Sequence, residues 1–381
     1  MIEELPPLSL YVHLPWCVRK CPYCDFNSHT AGEHPPYDDY LATLIGDIRA
    51  EATRADGRPI ISIYLGGGTP SLFSAAHIRR ILDTARQALD VAADCEITME
   101  VNPGTVERGD LRGYRDAGVN RLSLGAQSFD AGMLEVLGRI HGPDDTVAAY
   151  RDAREAGFDS INIDLMFALP GQSLAAAIDD IEQLCRLSPP HVSYYQLTLE
   201  PNTEFHSRPP AQLPDDALAW DIQEHCGQLL AEAGYRQYEV SAFAQAGHRC
   251  RHNLNYWAFG DYLAVGAGAH GKHTAADGVI RRYCKPAHPR SYIGALPQAV
   301  AGQPVAADDA AFEYLLNALR LLQGFSERDF TARTGLAFDA IQAPLAAAEA
   351  DGLMRRLPQG RWRPTSRGFR FLNDLQARFL P

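Results

Sequence analysis

Three cysteines fall within eight residues near the start of the chain, in the run Tyr11-Val12-His13-Leu14-Pro15-Trp16-Cys17-Val18-Arg19-Lys20-Cys21-Pro22-Tyr23-Cys24-Asp25-Phe26. Thiols this close in sequence can turn their sulfurs toward one centre, and iron–sulfur clusters are held by thiolates of this kind. With only Cys17, Cys21 and Cys24 in the run, a cubane would keep one iron open to a small molecule. Two other uses of the same residues stay open: a zinc site completed by His13 or His29, or a disulfide with one thiol left over. Zinc usually draws Cys-x2-Cys units from two places, and the sequence has no second unit. Disulfides belong to oxidising compartments, and no signal peptide points to one.

Such a centre needs a scaffold, and the chain is long enough for one: 381 residues, 46% hydrophobic and 22% charged, as in globular proteins of two or three domains. No apolar run reaches the roughly 18–20 residues of a membrane span, and the N-terminus lacks a basic leader, so a cytoplasmic location is expected. A formal charge of −12 argues against general nucleic-acid binding, whose affinity rests on positive charge. Cys95, Cys185, Cys226, Cys250 and Cys284 are scattered singly and read as ordinary thiols.

Short runs rich in branched and aromatic residues at 8–14, 60–65, 95–101, 121–124, 160–165 and 192–197 read as strands. Amphipathic stretches at 37–54, 75–88, 110–117, 144–156, 174–187 and 215–233 read as helices. Six β–α units in series imply a parallel sheet with right-handed crossovers, curled into an open (β/α)6 partial TIM barrel. Functional residues of such folds collect where strands end. Here the cysteines follow the first strand, Gly66-Gly67-Gly68-Thr69-Pro70-Ser71 the second, and Glu100-Val101-Asn102-Pro103 the third. Gly125-Ala126-Gln127 ends the fourth and Asp164-Leu165 the fifth. Adjacent glycines let backbone N–H groups approach a charged ligand.

These motifs together resemble the radical S-adenosylmethionine (radical SAM) enzymes, in the branch that contains oxygen-independent coproporphyrinogen III oxidase and the HemW haem chaperones. Cys-x3-Cys-x2-Cys, Gly-Gly-Gly-Thr-Pro-Ser, Glu-x-Asn-Pro, the run 120–127 and Asn162-Ile163-Asp164-Leu165 carry the resemblance, which covers nearly the whole chain. It implies that Cys17, Cys21 and Cys24 ligate a [4Fe–4S] cluster whose fourth iron takes the amino and carboxylate groups of SAM. It further implies SAM contacts from Gly67, Gly68, Thr69, Glu100, Gln127, Arg139 and Asp164, with Tyr11 beside the cluster motif. For Glu100 and Asp164 the plainer reading is an ion pair at a barrel rim. In the superfamily the reduced cluster cleaves SAM to a 5′-deoxyadenosyl radical. That chemistry requires no catalytic acid, base or nucleophile from the protein, and none is assigned.

Within the branch, the oxidases carry a further cysteine two positions after the third, where this chain has Phe26, the HemW pattern. The oxidases also have a long segment ahead of the first strand, where ten residues precede Tyr11 here. The resemblance therefore implies a haem chaperone that binds cluster, SAM and haem and delivers haem to recipient haemoproteins, with radical SAM chemistry on a tetrapyrrole as the alternative. No transmembrane segment is expected, which leaves room for transient membrane association.

Past the barrel, 235–243 reads as a further strand, and His252-Asn253-Leu254-Asn255-Tyr256-Trp257 has the His-Asn-x-x-Tyr-Trp pattern of the HemW group. Histidine is a common axial haem ligand, so His252 is a candidate, with Cys250 and His248 behind it; a hydrogen-bonded packing residue is the alternative. Residues 260–271 read as a glycine-rich loop near the SAM pocket. After Pro297 and Pro304, helices at 309–322 and 338–352 and a hairpin at 353–364 suggest a small winged-helix-like unit. Its arginines, among them Arg355, Arg363, Arg367 and Arg370, suit a partner or haem-propionate surface, or simply a solvated face. The expected organisation is 1–245 radical SAM core, 246–305 connecting region and 306–381 winged-helix-like domain.

Overall fold

The computed structural model describes residues 4–104, 109–295 and 299–381. Pro297, read above as marking a boundary, lies outside the described residues. The barrel is built from β1 (Leu8–Leu14), α1 (Tyr37–Glu51), β2 (Ile60–Gly67), α2 (Ala75–Ala88), β3 (Val91–Val101) and α3 (Leu111–Ala117). It continues with β4 (Arg121–Gln127), α4 (Pro143–Glu155), β5 (Ser160–Phe167), α5 (Leu174–Leu187), β6 (His191–Gln196) and α6 (Asp216–Glu232). Strands β1 to β6 lie side by side in chain order, all parallel. Helix starts follow local chemistry: Ser74, Asp110, Ser173 and Asp215 each accept a backbone N–H of the first turn.

Alternation along each strand divides the barrel into two environments. On β1, Leu8, Leu10, Val12 and Leu14 are fully buried under the helices, while Ser9, Tyr11 and His13 point inward. Ser9 Oγ lies 2.7 Å from Ser62 Oγ across the lumen wall, and the Tyr11 and Tyr64 rings stack at 6.3 Å. Further round, Glu100 meets Tyr64, and Ser123 meets Asp164. A (β/α)8 barrel normally fills this space with branched aliphatics. A polar lumen marks an interior built as a site.

Three expectations change. The stretch 260–271 is no loop: β8 (Asp261–Val265) pairs in parallel with β1, and β9 (His270–Thr274) turns back beside it. What makes 261–265 a strand is its pairing with β1, which the local sequence does not show. The single strand expected at 235–243 is a turn between Arg236–Gln237 and β7 (Ala242–Ala244), which pair with each other and then, through β7, antiparallel with β6. Glu239 holds the turn by accepting from Ser241 N. The region 246–305 therefore does more than connect. It adds α7 (Arg251–Trp257), β8, β9 and β10 (Ile280–Cys284), and the twelve-stranded sheet stays open, with a linear strand order.

Buried charges fix this extension to the barrel. Lys285 Nζ reaches Asp47 and Glu51 of α1 at 2.6 Å each, and Asp261 accepts from Lys272 at 2.8 Å and Arg58 at 2.7 Å. The C-terminal unit has its own core around Tyr314, Phe330, Leu345 and Trp362. It comprises α8 (Ala307–Ala318), α9 (Glu327–Thr334), α10 (Asp339–Ala350), the hairpin β11 (Met354–Leu357) and β12 (Arg361–Pro364), α11 (Ser366–Arg370) and α12 (Leu372–Ala377). Phe325–Ser326 adds a third strand beside β12. Among the described residues no helix is long and apolar enough to cross a membrane.

Candidate functional site

The loop after β1 carries the three cysteines to the C-terminal mouth of the barrel. Its base is a two-residue parallel pair, Trp16–Cys17 with His29–Thr30, and its tip closes through Cys24 N donating to Cys21 O at 3.1 Å. Cys17, Cys21 and Cys24 line one cavity with Gly67, Gly68, Thr69, Glu100, Asn102, Gln127, Arg139, Asp164 and Tyr195. Residues separated by up to 178 positions in sequence thus meet at one place.

Each wall is held from behind. A Cβ on Gly67 would overlap the His13 ring, and one on Gly68 would lie 2.6 Å from the Trp16 carbonyl oxygen. Gly67 also has φ +112°, so no other residue takes this turn without strain. Gly67 N donates to Glu100 Oε2 at 3.0 Å, and Tyr64 OH donates to Oε1 at 2.9 Å. Burial pushes the Glu100 carboxyl up to about 7 against those two hydrogen bonds, which favour the charge, while Asp164 pushes it further up. Asp164 accepts from Ser123 Oγ at 3.0 Å and Asn162 Nδ2 at 2.7 Å, and burial raises its carboxyl as well. Arg139 donates to Asn102 Oδ1 and to the Gly125 carbonyl at 2.9 Å each, and its Nη1 lies 3.6 Å from Cys21 Sγ. Gln127 sits at φ +71°, an unusual conformation for a side-chain-bearing residue, with Tyr195 OH donating to its Oε1 at 2.7 Å.

The donor set distinguishes the metal alternatives. His13 uses both ring nitrogens elsewhere, on Tyr11 OH and the Asn27 carbonyl at 2.9 Å each, and His29 pairs with Asn27 Oδ1 at 3.2 Å. Neither lines the cavity with the thiols. Among the described residues no three His, Cys, Asp or Glu side chains converge on a single-ion position. Three thiols around a cavity rather than a point suit a multi-iron cluster, whose ligands sit on different irons.

Comparison with known proteins agrees with this geometry. A family model for the radical SAM superfamily matches residues 11–184, and one for the HemN C-terminal domain matches residues 305–371. The chain is 50% identical over 377 residues, 99% of each chain, to Heme chaperone HemW of Escherichia coli (strain K12). The chain belongs to the HemW family. It is also 46% identical to Heme chaperone HemW of Haemophilus influenzae, across 100% of this chain and 99% of that one. In fold it matches the solved coproporphyrinogen III oxidase (HemN) of Escherichia coli, with TM-score 0.82 and 24% identity, covering 98% of this chain and 90% of that one.

Set in the HemW-family frame, the sequence-predicted residues divide into two groups. Gly67, Gly68, Thr69, Glu100, Gln127, Arg139 and Asp164 line the cysteine cavity. Tyr11 stands behind it, reaching the wall through its hydrogen bond to His13. His252 is at the other end of the barrel. Its backbone N–H and that of Arg251 donate to Glu96 at 3.0 and 2.9 Å, its Nδ1 lies 3.2 Å from Ser62 Oγ, and its ring packs on Tyr64 at 4.9 Å. Burial holds the imidazole neutral, its pKa down to about 4. These contacts place the ring at the barrel floor, away from the three cysteines.

Sequence reading named Asn102, Ser123 and Asn162 only as members of motifs, without a role of their own, and missed Tyr195 altogether. The missed signal is the inward alternation of polar residues on every strand, Ser9-Tyr11-His13, Thr98-Glu100-Asn102 and His191-Ser193-Tyr195 among them. From the floor upward, Tyr238 OH, His191, Asn162 and Asp164 form one chain of contacts of 2.8, 2.6 and 2.7 Å.

Proposed function

We propose that this chain is a haem-carrying chaperone of the HemW type, which holds a [4Fe–4S] cluster on Cys17, Cys21 and Cys24, binds SAM and passes haem to a recipient haemoprotein. The observation that carries the reading is 50% identity along 99% of the chain to a protein named Heme chaperone HemW. The cavity supports the cluster and SAM part of it, since three thiols, a glycine turn and two half-buried carboxylates suit an open cluster with a cationic ligand above it. When bound, the reduced cluster supplies an electron to SAM. The chain's own residues bind and orient. Gly67 and Gly68 bring the backbone close to the ligand's amino group, Glu100 and Asp164 set negative charge near the sulfonium, and Arg139 braces Asn102 and Cys21.

At the cavity rim Phe26 stands where the oxidases have a cysteine, and it is 61% exposed. The test compares two activities on one anaerobically reconstituted sample. Haem is expected to bind at micromolar concentration and to move to an apo-haemoprotein, with no conversion of coproporphyrinogen III in the presence of SAM and reductant. Turnover of coproporphyrinogen III would establish the enzyme reading instead, and a protein that takes up no haem would end the chaperone reading.

A further inference from the structure

A second hollow lies between the barrel edge and the C-terminal unit, a cleft of about 1450 Å³ bounded by α6 and β6 on one side and by β11, β12, α11 and α12 on the other. Five arginines line it, Arg320, Arg355, Arg363, Arg367 and Arg370, against two carboxylates, Glu224 and Asp374, in a chain of formal charge −12. Three of the five have partners that account for them, Arg367 by donating from Nη1 to the Asp351 carbonyl at 3.1 Å. Arg320 pairs with Glu239 at 3.5 Å, and Arg370 lies over the Trp220 ring, 3.6 Å from its centroid.

Arg355 and Arg363 are different. They stand directly opposite each other in the hairpin, both exposed, and among the described residues neither meets a carboxylate. Like charges facing each other on an antiparallel pair destabilise it. An anion bridging the two guanidiniums would turn that repulsion into two charge-assisted hydrogen bonds. Beside them the cleft offers apolar surface, with Phe371 47% exposed and Trp220 and Phe369 partly so. Paired guanidiniums next to flat aromatic surface fit a planar, apolar ligand that carries two carboxylates.

We propose that this cleft seats the haem cargo, with its propionates on Arg355 and Arg363 and its ring against Phe371 and Phe369. The proposal rests on the haem-carrying reading above and adds where the cargo sits. It also places the cargo next to the SAM cavity: Tyr194 lines the cleft and Tyr195 the cysteine cavity, on opposite faces of β6.

Haem titration of the full-length protein, followed by the Soret band and by quenching of tryptophan fluorescence, tests it. Arg355→Glu creates an opposite-charge pair with Arg363, so the thermal midpoint is expected to hold or rise while haem binding weakens by about tenfold or more. A merely structural role for Arg355 cannot move both readouts in those directions. Phe371→Ser is expected to weaken haem about fivefold, and His252→Ala to leave it within about twofold, since the floor histidine then has no part in ligation. Protoporphyrin IX should bind about tenfold more tightly than its dimethyl ester, which lacks the propionate charges. If the wild-type protein binds haem and Arg355→Glu and Phe371→Ser bind it equally well, the cleft is overturned while the chaperone reading stands. If the wild-type protein binds no haem, the chaperone reading itself fails and the cleft with it. If Arg355→Glu loses binding of a single-stranded oligonucleotide but keeps haem, the basic wall serves nucleic acid and the proposal is wrong.

Discussion

Replacing Cys17, Cys21 and Cys24 together by alanine is expected to abolish all iron and acid-labile sulfide in the anaerobically reconstituted protein, and each single replacement to abolish nearly all. The reason is geometric. The three thiols line one cavity, His13 and His29 are engaged elsewhere, and no other cysteine lines it. Cys250 is fully buried in the barrel floor, its Sγ 3.4 Å from Glu96, and Cys95 is 5% exposed. Cys250→Ala and Cys95→Ala should therefore keep full iron and sulfide content. The fold should survive the triple replacement, because the loop is held by backbone bonds such as His29 N to Pro15 O at 2.7 Å and Ala31 N to Cys17 O at 2.8 Å. Iron and sulfide analysis beside circular dichroism checks both halves. Full retention in a folded triple variant would remove the cluster from these cysteines, and stoichiometric zinc would restore the mononuclear site.

How far this could be read from the chain depends on whether the signal is local. The cysteine run, the three glycines and Glu100-Val101-Asn102-Pro103 are each contiguous, and a parallel β–α series places all strand ends at one mouth. Those two facts bring the cavity together without coordinates. Tyr195 escaped because its role comes from a partner 68 positions away, Gln127. The strand at Asp261–Val265 escaped because what makes it a strand is pairing with β1, some 250 residues earlier. His252 carries the opposite lesson. A histidine beside tyrosine and tryptophan leaves a haem ligand and a hydrogen-bonded packing residue equally open, and only the fold shows that Glu96 holds the first turn of α7 with the ring on Tyr64. The opposed pair Arg355 and Arg363 was visible only as basic composition, since the hairpin register alone sets them face to face.

The proposed SAM site should respond to substitution in two separable ways. Gly67→Val puts a branched side chain against the His13 ring at φ +112°, so SAM binding is expected to fall by about a hundredfold or more as the turn is displaced. Glu100→Gln keeps the shape but removes a charge, and is expected to weaken SAM by about 1–3 kcal/mol. The pH dependence follows from the Glu100 carboxyl, raised mainly by burial from 4.5 to about 7 in the folded protein. Between those values the folded state holds a proton that the unfolded chain has released. This group's contribution is therefore fully favourable below about 4.5 and is lost as pH rises through about 7. Glu100→Gln should consequently make the SAM-free protein more stable than wild type at pH 8, by on the order of 1–2 kcal/mol. SAM affinity of the wild type runs the other way, rising about tenfold from pH 6 to pH 8 as the carboxylate forms. In Glu100→Gln that rise should flatten. Equilibrium SAM binding and thermal unfolding across this range decide the matter: unchanged affinity in Gly67→Val would move the site elsewhere, and the same pH slope in Glu100→Gln as in wild type would assign the proton to another group.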